Sequence, residues 1–174
     1  MKQHSLFKHR QFLLLATVLL FGCGQQAATT LAPQEITRAT TCSLDGMTLA
    51  DYPGPKAQIF YAGQAKPEYF CDLLELFNVL LKPEQIRKVA AAYVQDMAQT
   101  DWDHPQGHWI AARTAWYVAG SRKTGSMGPT LGSFFTEKDA KAFAAANGGR
   151  VLKFGDITPA MADLSGSENH AGAM

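Results

Sequence analysis

Cys42 and Met47 flank a strong turn signal, the Asp45-Gly46 pair, in the run Thr41-Cys42-Ser43-Leu44-Asp45-Gly46-Met47-Thr48-Leu49. A two-residue Asp-Gly hairpin turn would set residue 44 opposite 47 and residue 42 opposite 49. Cys42, Leu44, Met47 and Leu49 would then share one face, with Cys42 and Met47 diagonal neighbours about 7–8 Å apart at the backbone. A thiolate and a thioether so placed could reach one ion, and soft sulfur donors favour Cu(I) over Zn(II), Mg(II) or Ca(II). The same spacing also fits a core-packed methionine beside a disulfide-bonded cysteine. Met127, in Gly125-Ser126-Met127-Gly128-Pro129, has little cover from its own neighbours; it is either a presented thioether or a plug for a distant part of the core. His104 and His108 stand at a spacing that would align two imidazoles on a helix, but Pro105 and Gly107 disfavour one there, which leaves them as surface-loop histidines. His170 and Met174 are scattered in the tail. No glycine-rich phosphate loop, G-x-S-x-G elbow or C-x-x-C pair is present, so nothing nominates a nucleophile with its base.

Whether Cys42 is free depends on the compartment and on Cys71. Lys2, Lys8 and Arg10 precede the apolar stretch Phe12 to Phe21, the layout of a secretory signal, and the stretch is shorter than the roughly 20 apolar residues that span a bilayer. Leu20-Phe21-Gly22-Cys23 closes it with a cysteine after a small residue, the pattern of a bacterial lipoprotein precursor cut before an acylated Cys23. Gly24 in place of an aspartate then points to the outer membrane, with the body in the periplasm. Loss of residues 1–22 removes three of sixteen basic residues and none of the fifteen acidic ones, leaving a net charge of −2. So weak a charge argues against nucleic acid and against electrostatic membrane binding. Once Cys23 is lipidated, Cys42 and Cys71 remain; in an oxidising compartment they form a disulfide, unless at least one is kept reduced as a metal ligand.

The elements that must position these residues are short. Residues 23–40 lack apolar periodicity and read as a tether, so the body is expected over 41–155. Gln58 to Ala62 is strand-like, Gly63-Gln64 a turn, and Pro67 to Phe70 a return strand. Phe70, Leu73, Leu74, Phe77, Leu80 and Leu81 form a helical stripe ended by Pro83. Ile86 to Met97 fits a half-buried strand. The order then repeats. Ala115 to Ala119 is a strand, a glycine-rich loop from Gly120 to Gly132 leads to Ser133-Phe134-Phe135, and Thr136 caps a helix stopped by Asn147-Gly148-Gly149. Val151 to Phe154 completes the unit. Two successive ββαβ units, an α+β fold, are the economical architecture. Residues 156–174 read as a loose tail.

The run from Cys42 to Ala57 resembles the signature of NosL-type accessory lipoproteins of nitrous oxide reductase. The similarity continues through Tyr69 to Asp72, Tyr93 to Met97, Trp109-Ile110, Ala115 to Val118 and Ser126 to Pro129. The resemblance implies a periplasmic lipoprotein that binds Cu(I) and supplies it, through a periplasmic partner of a membrane transporter, for maturation of the reductase in denitrification. It also implies a fold related to organomercurial lyase. By position, the family's ligands fall on Cys42, Met47 and Met127, with His104 and His108 as other sources of a third donor. Many relatives carry a second cysteine where this chain has Asp45, so one thiolate with thioether or imidazole is expected. Cys71 stays open. Two rivals remain: a disulfide-stapled interaction lipoprotein without metal, and a lyase-like thiol enzyme.

Overall fold

The computed structural model describes residues 31–165, which make two small antiparallel sheets with one helix each. The elements are β1 (Ala57–Tyr61), β2 (Glu68–Phe70), α1 (Leu73–Leu81), β3 (Val89–Gln95), β4 (Trp109–Ala111), β5 (Trp116–Ala119), β6 (Thr124–Gly125), β7 (Gly128–Pro129), β8 (Gly132–Phe134), α2 (Glu137–Asn147) and β9 (Arg150–Lys153). The first sheet has the order β2-β1-β3-β4 and the second β8-β5-β9, while β6 and β7 form a separate two-stranded ribbon. In each sheet the strand that opens it in sequence, β1 or β5, is flanked by the strand that follows directly or through the ribbon and by the strand after the helix.

Local chemistry sets these boundaries. Asp72 caps α1 by accepting from Leu74 N at 2.8 Å, and Glu75 three residues on reaches back to the Asp72 backbone, a capping box. Lys82 is extended (ψ 131°) because Pro83 follows it, so α1 stops at Leu81. Thr136 caps α2 by accepting from Asp139 N at 3.1 Å, and Gly148 at φ 78° ends it. The second sheet is two-sided. Tyr117 and Leu152 face a core shared with Ile59, Phe70, Leu76 and Phe77, and Phe77 meets Tyr117 edge-on at 5.2 Å. Val118 and Phe134 face α2 with Ala140, Met97 and Trp102.

Three sequence expectations need correction. The body is wider than 41–155. Tyr93 donates its hydroxyl to Leu31 O at 2.6 Å, Gln34 and Gln58 exchange hydrogen bonds of 2.9 and 3.0 Å, and Ile36 packs against the cysteines. At the other end Ile157 and Ala162 are core residues, and Asn78 donates to Ala162 O at 3.0 Å. Ile157→Ala is therefore expected to cost about 2–5 kcal/mol in a urea titration, where a loose tail would show no change. Second, β4 forms directly after the histidine loop, over residues that the sequence assigned to no strand, and the glycine-rich loop holds the β6–β7 ribbon. Third, the Asp45-Gly46 turn is not a two-residue turn. Cys42 N donates to Met47 O at 2.8 Å, and Thr41 pairs with Thr48, so Cys42 faces Met47 directly across a loop of residues 43–46. Leu44 leaves the shared face and is 47 % exposed. Ser43 explains the wider loop: its N donates to Tyr69 O at 2.8 Å and its Oγ accepts from Tyr69 N at 3.1 Å, drawing the chain onto the β2 edge. Asp45 Oδ1 then accepts from Met47 N at 2.9 Å. The signal segment, Cys23, His170 and Met174 lie outside the described residues. Among the described residues no helix is long and apolar enough to cross a membrane.

Candidate metal centre

Cys42 enters the site from the loop preceding β1, and Cys71 from the junction of β2 and α1. Both are free, buried thiols. Their sulfurs gather with a carboxylate oxygen each from Asp45 and Glu75, all four atoms within 4.8 Å of one another. Met47 packs half-buried against Cys42, Cys71 and Leu49. Glu75 organises the cluster. Its Oε2 accepts from Cys71 N at 3.0 Å and Asp72 N at 3.2 Å, and lies 3.3 Å from Cys42 Sγ and 3.5 Å from Cys71 Sγ. Glu75 Oε2 is thus committed to backbone donors, while its Oε1, the Asp45 carboxylate and the two sulfurs are the remaining groups that could meet an ion.

Two further groups pin the Cys71 peptide. Its carbonyl accepts from Lys56 Nζ at 3.2 Å and from Ser126 Oγ at 3.3 Å. Lys56 is fully buried, and its ammonium also donates to Tyr52 O at 2.8 Å and Pro53 O at 2.9 Å. Ser126 lies in the turn between β6 and β7, so that ribbon sits beside the cluster. The approach is close enough that a Cβ on Gly125 would come 2.3 Å from Asp72 Oδ2, and one on Gly54 would come 3.0 Å from Gly125 Cα. Met127, half-buried in the same turn, follows Ser126 directly.

Burial and mutual contact set the protonation states. The Cys42 thiol is lowered to about 6, chiefly because the Cys71 thiol donates to it, with Leu44 N adding a bond at 3.4 Å against the opposing cost of burial. Cys71 is pushed upward by that same bond and by burial. Glu75 is raised to about 8 by desolvation first and by the Cys42 charge second. Desolvation also raises Asp72 to about 6, although Thr130 Oγ1 donates to its Oδ1 at 2.7 Å; its Oδ2 is buried without a partner. The same cause lowers Lys56 to about 8. Asp72 and Glu75 thus bind protons more tightly folded than unfolded, so their stabilising contribution is complete below pH 4 and is lost as pH rises through 6 and 8. Unfolding midpoints of the metal-free protein are expected to fall from pH 4 to pH 6. Asp72→Asn, which retains a capping side chain, should flatten that fall, and an unchanged slope would place the titration elsewhere.

Of the residues the sequence nominated, the structure brings Cys42 and Met47 together and sets the Met127 turn alongside. It does not bring the histidines in. Both are exposed; Gly107 and His108 take positive φ (59° and 53°) in a non-helical loop, and His104 lines a cavity of about 510 Å³ with Ile36, Arg38 and Asp51. Among the described residues the cluster contains no histidine. Sequence reading missed Glu75, whose signal was present: Asp72 and Glu75 have the spacing of a capping box.

Two buried thiols with a thioether beside them define a thiol centre suited to a soft metal ion. Comparisons agree with that class. The sequence profile of the NosL family matches residues 33–162, and the chain belongs to that family. The "Copper-binding lipoprotein NosL" of Achromobacter cycloclastes is 41% identical over 157 residues, 87% of this chain and 81% of that protein. The protein of the same description from Stutzerimonas stutzeri is 39% identical over 165 residues, 91% of this chain and 86% of that one. The crystal structure of the copper chaperone NosL from Shewanella denitrificans superposes with a TM-score of 0.71 at 42% identity, covering 74% of this chain and 97% of that one.

Proposed function

We propose that this protein is a Cu(I) carrier, anchored through a lipid at Cys23 to the outer membrane and facing the periplasm, that delivers copper for maturation of nitrous oxide reductase. Cys42 is the anionic ligand, Met47 a thioether ligand and Met127 the third donor. The observation that carries this reading is the Cys42–Met47 pairing across the loop, beside a second thiol and with no imidazole in the cluster. The copper-binding relatives support the choice of metal.

A carrier must also release its ion. Loop residues Ser43 to Gly46 are exposed and Met47 is half-covered, so an incoming ligand can approach that side while Cys42 still holds the ion. The receiver is the reductase's assembly machinery, reached through a periplasmic partner of a membrane transporter. The matching arrangement of β2-β1-β3 and β8-β5-β9 supports two ββαβ units, the first extended by β4.

A second reading, thiol-dependent cleavage of a carbon-bound metal, gains from the convergence of Cys42, Cys71 and Asp45. Assay of the reduced protein with an organomercurial separates the two, and no turnover is expected. Delivery itself is tested by copper per reductase in a deletion strain. The wild-type gene should restore loading, Met47→Leu and Met127→Leu should restore it partly, and Cys42→Ser should not. Full loading with Cys42→Ser would refute the thiolate transfer proposed here.

A further inference from the structure

We propose that Cys71 is a second thiolate ligand, so that the Cu(I) ion is held between Cys42 and Cys71; this rests on the copper-carrier reading above. Metal–thiolate bonds are about 2.3 Å long, so two sulfurs on one ion stand up to about 4.6 Å apart. Cys42 Sγ and Cys71 Sγ belong to a group of atoms already within 4.8 Å, and little motion is needed to close on an ion.

Cys71 is also held as a ligand would be. Its N donates to Glu75, and its carbonyl accepts from both Lys56 and Ser126, so the direction of its side chain is fixed from both ends of the residue. A buried side chain serving only to fill space would not be expected against a carboxylate, yet Cys71 Sγ lies 3.6 and 3.5 Å from the two oxygens of Glu75. The Glu75 and Asp45 carboxylates beside the sulfurs oppose a second thiolate until an ion is bound. Two thiolates on Cu(I) make a monoanion, and the Lys56 ammonium, donating to the Cys71 carbonyl from within the protein, offsets part of that charge.

The test uses the full chain, reduced and anaerobic, loaded with Ag(I) as a diamagnetic stand-in for Cu(I), and reads proton–silver couplings by NMR. Couplings to the β protons of both Cys42 and Cys71 are expected. A coupling at Cys42 with none at Cys71 overturns this inference and leaves the carrier reading standing; none at either cysteine overturns both. Because this needs no substitution, it is independent of whether a Cys71 variant folds. In Cu(I) competition titrations Cys71→Ser should weaken binding by at least about tenfold, since even partners outside the ligand set cost roughly 10–100-fold. Wild-type affinity in that variant would also overturn it.

Discussion

Cys42→Ser is expected to weaken Cu(I) binding by at least about 100-fold in competition with a soluble chelator, the upper end of what loss of a supporting group around a metal costs. The size follows from the donors that remain. Met47 and Met127 offer neutral thioethers, and the Cys71 thiol is pushed upward, so an ion gains its thiolate only by displacing a proton. Cys42, lowered to about 6, is the thiolate available without a proton to displace. Met47→Leu keeps volume and removes only a neutral donor, so its effect should be smaller. The wild-type affinity should also depend on pH in one direction. Above about 6 binding displaces the Cys71 proton alone and should weaken by about tenfold for each drop of one in pH; below it the Cys42 proton must be displaced as well, and the fall should steepen to about a hundredfold. A Cys42→Ser chain that titrates like wild type would put the ion elsewhere.

The helices were legible because their signals are local: an apolar stripe that Pro83 ends, and a Thr136 cap with a Gly148 stop. Strands β1, β3, β5 and β9 were legible for the same reason. What was not legible depends on partners distant in sequence. Residues 31–36 are fixed by hydrogen bonds to Tyr93 and Gln58 and by one apolar contact, none of which imposes a period. The hairpin register was misread because Tyr69 draws Ser43 away from the turn, a contact 26 residues apart that outweighs the Asp-Gly preference. The site divided likewise. Cys42 and Met47 share one loop and could be paired on paper, but Glu75 reaches Cys42 across 33 residues and Cys71 arrives on the same helix junction. The histidines stood out by spacing alone, and their loop turns them to solvent.

Lys56 lay inside the Cys42 to Ala57 run without a role, yet Lys56→Met is expected to destabilise the metal-free protein by about 1–2 kcal/mol. Two effects compete. Burial disfavours the ammonium, which is why its pKa falls to about 8, and methionine would relieve that cost while filling most of the space. Against it, the ammonium donates to three carbonyls: those of Tyr52 and Pro53 would be left without that donor, at about 1–3 kcal/mol each, and that of Cys71 would lose one of its two bonds, at about 1 kcal/mol. Relief of the burial cost, at about 1.4 kcal/mol for each tenfold loss of proton affinity, comes to about 3.5 kcal/mol for the fall from 10.5 to about 8, and so offsets most of the roughly 5 kcal/mol at the middle of those ranges. The loss should also reach the site, because freeing the Cys71 carbonyl leaves Ser126 as its remaining donor. Urea midpoints read the first effect and Cu(I) competition the second. A Lys56→Met protein as stable as wild type would mean that the carbonyls find other donors and that the buried charge contributes nothing to holding the cluster.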